Sequence, residues 1–150
     1  MSTTRLVLGA IRDVLSNVPE WRNRVLIGHP PAGKPAQVPA LYVTLDSVET
    51  TQEDELGGYR RSLTVAITAF VAAEEDTAEA RTFAGADALD RVMVELQRER
   101  ATTRQCLGGL VDDLTISGTS LSGDEIGIGG VGVMGAELRA YFLAIPSEGA

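Results

Sequence analysis

Cysteine and histidine are nearly missing: the 150-residue chain has one of each, Cys106 and His29. A disulfide framework within the chain and a cysteine-rich zinc site are thereby excluded, and most metal chemistry loses its usual ligands. Basic residues are also scarce. There are 13 against 21 acidic ones, for a net charge of −8 and an isoelectric point near 4.6. A protein that grips nucleic acid by its phosphates needs the opposite balance. No run of about 18 apolar residues occurs, so no membrane-spanning helix is expected. Residues 1–15 carry Arg12 and Asp13 inside an interrupted apolar pattern, which lacks the continuous apolar stretch of a signal peptide. The expectation is a chain made in the cytoplasm that stays soluble until it joins something.

What is present suits a packed core. Hydrophobic residues make up 44% and charged residues 23%, which speaks against intrinsic disorder. A chain of this length is expected to form one domain, residues 1–150, and to hide roughly 70% of its unfolded surface.

Leu6, Val7, Ala10, Ile11, Val14 and Leu15 recur at three- and four-residue spacing behind Ser2, Thr3 and Thr4. This predicts an amphipathic helix over 4–17, ended by Pro19. Residues 21–27 alternate as a strand would. A proline-rich loop follows from His29, and 40–48 is rich in β-formers. Residues 49–58 break the apolar pattern with Glu49, Glu53, Asp54 and Glu55 and close on Gly57-Gly58. Residues 59–72 then alternate strictly, with Leu63, Val65, Ile67, Ala69 and Val71 on one face. Period two over that length predicts a long strand with one buried face. The two strands and the acidic segment read as a hairpin with an extended tip.

A helix is expected over 76–100, with acids at its start and Phe83, Ala86, Leu89, Val92, Met93 and Leu96 as its buried stripe. Residues 110–117 read as a strand. Residues 117–135, with seven glycines, read as a flexible loop or loose hairpin, and 137–145 as a final alternating strand. The composite is a chain of two helices and several alternating strands, two of which form a long hairpin arm.

None of the chemistry-bearing residues forms a convincing constellation. The run Gly127-Ile128-Gly129-Gly130-Val131-Gly132 lacks the following helix and lysine of a phosphate loop, so a turn explains it better. His29 sits beside Pro30 with no nucleophile motif nearby, and Cys106 lies in the apolar setting of a buried, inert thiol. Asp112 and Asp113, adjacent on a strand, point to opposite faces and cannot easily share an ion. The acids at 53–55 lack the spacing of a calcium loop. No catalytic residue, cofactor or metal site is expected. Tyr59, Arg60 and Arg61 begin the long strand next to the acidic tip. They either neutralise neighbouring acids or pair with the acidic tip of another subunit; a long polar arm has nothing to pack on in a monomer.

The order of elements resembles the tail terminator family of long-tailed bacteriophages, also called tail completion or minor tail proteins of the lambda type. The stretches that carry it are Val38-Pro39-Ala40-Leu41-Tyr42-Val43, Tyr59-Arg60-Arg61-Ser62-Leu63-Thr64-Val65, Leu110-Val111-Asp112-Asp113-Leu114-Thr115-Ile116 and Glu137-Leu138-Arg139-Ala140-Tyr141-Phe142. It spans most of residues 4–146 and rests on pattern and order. The resemblance implies an α/β (α+β) fold, a twisted, mostly antiparallel sheet of four to five strands with two helices packed on one face. It also implies a homo-oligomeric ring, commonly of six subunits, in the virion neck. Such a ring stops growth of the tail tube, meets the tube protein and the head-tail connector or stopper protein, and lets genomic DNA pass through its lumen unbound. An acidic wall, at about six times −8 for a hexamer, would repel phosphates and let DNA slide. Glu49, Glu53, Asp54 and Glu55 are the candidate lumen- or tube-facing arm, and Tyr59, Arg60 and Arg61 the candidate inter-subunit contacts. Two other readings stay open. One is another neck component, or the equivalent part of a contractile injection system or gene-transfer particle; the other is a small cytoplasmic enzyme.

Overall fold

A computed structural model describes residues 2–30, 35, 37–53, 59–103, 107, 110–111, 113–120 and 130–144. The chain runs α1 (Thr3–Leu15), a 3-10 turn (Pro19–Trp21), β1 (Val25–Ile27), β2 (Ala40–Glu53), β3 (Tyr59–Ala72), α2 (Ala78–Thr103), β4 (Asp113–Ser120) and β5 (Val131–Ala144). The strands form one five-stranded sheet in the order β1-β2-β3-β5-β4. Every pairing is antiparallel except β1 with β2. The fold is thus α+β, with an open sheet and both helices on one of its faces.

β3 organises the sheet because it alternates without interruption. Leu63, Val65, Ile67, Ala69 and Val71 all lie buried beneath the helices. β5 follows it from Tyr59↔Ala144 to Ala72↔Val131 with no register shift, placing Met134, Ala136, Leu138, Ala140 and Phe142 on the same buried face. Leu41 and Val43 of β2 extend that face outward to Val25 of β1. On top sit Val7, Ile11 and Leu15 of α1 and Ala88, Val92 and Leu96 of α2. Ser2 caps α1: its side-chain oxygen accepts from the Arg5 backbone N–H at 3.3 Å.

Between α1 and β1, residues 21–27 are not one strand. Pro19 opens a 3-10 turn that drives Trp21 into the core, and Asn23 takes a left-handed conformation (φ 64°) before β1 begins. The Arg91 guanidinium of α2 lies 5.6 Å from the centre of the Trp21 ring and pairs with Glu20 at 2.5 Å. A cation over an indole face contributes about 0.5–2 kcal/mol. The acidic break expected from residue 49 onward is strand as far as Glu53, where it pairs with Tyr59.

The glycine-rich stretch departs most from expectation. Residues 131–136 belong to β5, not to a loop, and Gly118 lies within β4. A Cβ on Gly132 would stand 2.5 Å from the Arg81 carbonyl oxygen and 3.1 Å from the Ala84 Cβ. Gly132 is therefore the point where α2 closes onto the sheet. Phe83 also departs from expectation: it faces away from the sheet, opposite the core residues of its helix.

Replacing Gly132 with Ala forces backbone apart and should lower stability by about 1–3 kcal/mol. Gly9→Ala on α1 meets nothing nearer than the Arg12 Nη2 at 3.9 Å and should raise it by about 0.5–1 kcal/mol. Urea midpoints at constant m-value measure both.

Candidate functional surface

In the hairpin of β2 and β3, β3 is paired with β5 along its whole length, but β2 outruns the strand on its other side. β1 pairs with β2 only from Leu41 to Val43. One further turn of contact follows, where Gly28 N–H donates to the Val43 carbonyl at 2.8 Å and the Thr44 hydroxyl donates to the Gly28 carbonyl at 3.0 Å. Beyond that point no described strand covers the outer edge of β2. Bare edges invite pairing with other chains. Here two register shifts, between Leu45/Ser47 and Thr50/Gln52, interrupt the edge, and Asp46 and Glu49 load it with charge. Bulges and charges of this kind blunt indiscriminate edge-to-edge pairing.

The helix-side face of the arm is apolar and only half covered. Leu45 is opposite Val65 and Val48 opposite Leu63, so both point to the side on which the helices pack. They are nevertheless 37% and 45% exposed, and Ile27 beside Val43 on β1 is 47% exposed. Further along the same face comes Arg61, opposite Thr50 and Phe142.

The register brings the acidic and basic candidates into one hairpin. Glu49 lies opposite Ser62, Gln52 opposite Arg60, and Glu53 opposite Tyr59. No acid stands directly across from Arg60 or Arg61. Asp54 and Glu55 lie outside the described residues, as do Cys106 and Asp112. Glu49 and Arg60 share the open face of the sheet, away from the helices, and both are exposed. Towards the middle of the sheet this face carries Thr44, Thr64, Ala66, Thr68, Thr115 and Ser117, with Glu137 accepting from the Arg139 Nε at 2.9 Å. Only its far end is apolar. There Tyr42 meets Phe70 edge-on, with ring centres 5.9 Å apart, and Ala40, Val131, Val133 and Val38 close around them.

A second feature is a cleft of about 950 Å³ between the first half of α2, the segment after β3, and the 3-10 turn. Glu20, Glu74, Glu75, Glu79 and Asp87 line it, with Arg91 and Phe83. It is lined by no cysteine, histidine or serine; its candidate proton acceptors are carboxylates, of which those at 74, 75, 79 and 87 are exposed, and its one hydroxyl is that of Thr77. Among the described residues no group of three His, Cys, Asp or Glu side chains is placed to hold a metal ion. His29 is exposed in the segment after β1.

Asp76, at the rim of this cleft, has a structural task that residue spacing does not announce. Its Oδ1 accepts from the Arg81 Nη1 at 2.6 Å and from the Gly130 backbone N–H at 2.8 Å. Ala73 N–H donates to the Gly130 carbonyl at 2.8 Å. Together these bonds tie the start of β5 to the approach of α2, and Thr77 caps that helix by accepting from the Ala80 N–H at 3.1 Å. The Gly130 N–H first, and then the Arg81 guanidinium, hold the Asp76 carboxyl below its ordinary range.

No family model matches the sequence, and no curated protein matches it. Among the described residues no helix is long and apolar enough to cross a membrane.

Because its folded-state pKa is depressed, the stabilisation from Asp76 is complete above the unfolded value of about 3.9 and fades as pH falls below it. Asp76→Asn should therefore lower the thermal midpoint at neutral pH, and the gap to the unsubstituted protein should close on acidification below about pH 4. A gap that stays constant down to the acid limit would contradict this assignment.

Proposed function

We propose that this chain is a structural ring subunit of the tail-terminator kind, which caps a phage tail tube and joins the tail to the head connector while DNA transits the lumen. The observation that carries the reading is the arm, where the 14-residue β2 runs past its supporting β1 and Leu45 and Val48 are left half-exposed on an otherwise buried face. A side chain of that size contributes about 1.5–3 kcal/mol when fully buried. Apolar residues held out on a charged, bulged hairpin are placed for a neighbour to cover. Self-association through two different surfaces of each subunit closes into a ring when the rotation fits.

Charge supports the same reading. The exposed acid at Glu49, the acids at 53–55 and the overall −8 suit a channel that passes a polyanion without holding it. On this reading the work is geometric, with no bond made or broken. A tail tube protein and a head-tail connector or stopper protein are the partners this role requires, with the virion neck as its location.

Size exclusion with light scattering and negative-stain microscopy tests the assembly, alone and with tail tubes. The expected product is a ring with a central hole, whereas a compact monomer under every condition would count against it. Reversing charge at Glu49, Glu53, Asp54 and Glu55 together should leave the circular dichroism spectrum unchanged and impair tail joining or DNA passage. Unaltered infectivity would remove the arm from that role.

A further inference from the structure

The outward side of α2 carries a pattern that the core packing does not account for and that runs on past the cleft, to which it contributes Phe83 and Asp87. Its core contacts are Ala88, Val92 and Leu96, and diametrically opposite stand Phe83, Asp87, Asp90 and Val94. At 100° per residue these four fall within about 60° of one another, and the outer two are about 16 Å apart along the axis. Phe83 is 61% and Val94 54% exposed, the two most exposed large apolar residues of the described chain. Asp87 and Asp90 are exposed between them. The stripe reads apolar, acid, acid, apolar.

The helix-side face of the arm reads as its complement. The half-exposed row Ile27, Leu45 and Val48 leads to Arg61 on the same face. Val48 and Arg61 are diagonal neighbours across β2 and β3, about 7–8 Å apart. Phe83 to Asp87, and Val94 to Asp90, are each one helical turn, about 6 Å. Both surfaces therefore place an apolar group and a charge at matching separation, with opposite sign. Among the described residues the side chains of half-buried Arg61 and exposed Asp87 and Asp90 have no ion-pair or hydrogen-bond partner. Within one chain the two surfaces do not meet, because the stripe points away from the sheet on which the arm row lies.

We propose, building on the ring reading above, that the outward stripe of α2 is the docking surface for the arm of a second copy of this chain, with Leu45 and Val48 packing on the stripe's apolar ends and Arg61 against Asp87 and Asp90. The contact is head-to-tail, so each subunit offers the stripe to one neighbour and its arm to the other. That is the arrangement a closed ring uses. Opposed charges set the register between copies, and the apolar groups supply most of the attraction.

The test is sedimentation velocity on the full chain and three variants: Arg61→Glu, Asp87→Arg with Asp90→Arg, and all three changes together. Each reversal alone should weaken self-association at least about tenfold, and the combination should restore it to within about threefold. Phe83→Ser should weaken it as well, with an unchanged urea midpoint because the ring is exposed. If Arg61→Glu disturbs folding, the α2 variants, at exposed positions, carry the test alone. Rings that assemble with undiminished affinity in the Asp87/Asp90 variant would overturn this contact and leave the ring reading standing. A variant that loses tail-tube binding but keeps self-association would also overturn it, and would reassign the stripe to the tube protein. A chain that stays monomeric alone and with tail tubes would overturn both.

Discussion

Helix and strand advance at different rates, and the shape of this molecule follows from that mismatch. An α-helix rises 1.5 Å per residue and a strand about 3.3 Å, so the 13 residues of α1 reach about 20 Å while the 14 residues of β2 reach about 46 Å. α1 can cover Leu41 and Val43 but not the rest of the strand. α2, with 26 residues and about 39 Å, serves the centre of the sheet over β3 and β5. The β2 side of the hairpin is left without a helical roof. Burial falls away along one face, from Leu41 and Val43 to Leu45 and Val48, although the apolar pattern continues. The arm is thus a consequence of element lengths written into the chain.

Much of this was legible from residue order, and the failures have physical reasons. The strand over 59–72 was unambiguous because strict alternation over that length has no helical counterpart. The five core positions of β3 are those the pattern names. The helix over 3–15 was equally plain from its stripe and its Ser2 cap. Of the stretch 117–135, expected as a flexible loop or loose hairpin, β4 and β5 bear out the antiparallel pairing, while 131–135 are regular strand, because composition does not distinguish a glycine kept for freedom from one kept for closeness. Gly132 is the second kind, pressed against the backbone of α2. Phe83 was assigned to the core because an aromatic residue at a three-residue step from Ala86 fits a buried stripe. Val92 and Leu96 of the expected stripe are buried and Leu89 packs against the core, but towards the start of α2 the buried line runs through Ala88, on the side opposite Phe83. The cross-chain clamp of Asp76 on Gly130 was invisible, since its members are 54 residues apart.

The candidate surface was legible in part. The acids and the Tyr59-Arg60-Arg61 run were singled out by charge alone, and the register places both in one hairpin. Reading charge as loop hid the fact that Glu49 and Glu53 stand on a strand, where the register assigns Glu49 to the open face and Leu45 and Val48 to the helix side. Half-exposed Leu45 and Val48 carry no signal in composition. Their exposure follows from the reach of the neighbouring elements, α1 above them and β1 beside them. On the proposed reading the arm divides its work between faces: its apolar side meets a neighbouring subunit, and its acidic side keeps a polyanion at a distance.

A cryo-electron reconstruction of a tail-bearing particle that contains this chain tests that claim most directly. The account predicts a closed ring of copies at the head-proximal end of the tube, with each β2–β3 hairpin lying against the next subunit. A particle whose tail end lacks this chain, or a ring whose hairpins touch no neighbour, would contradict it.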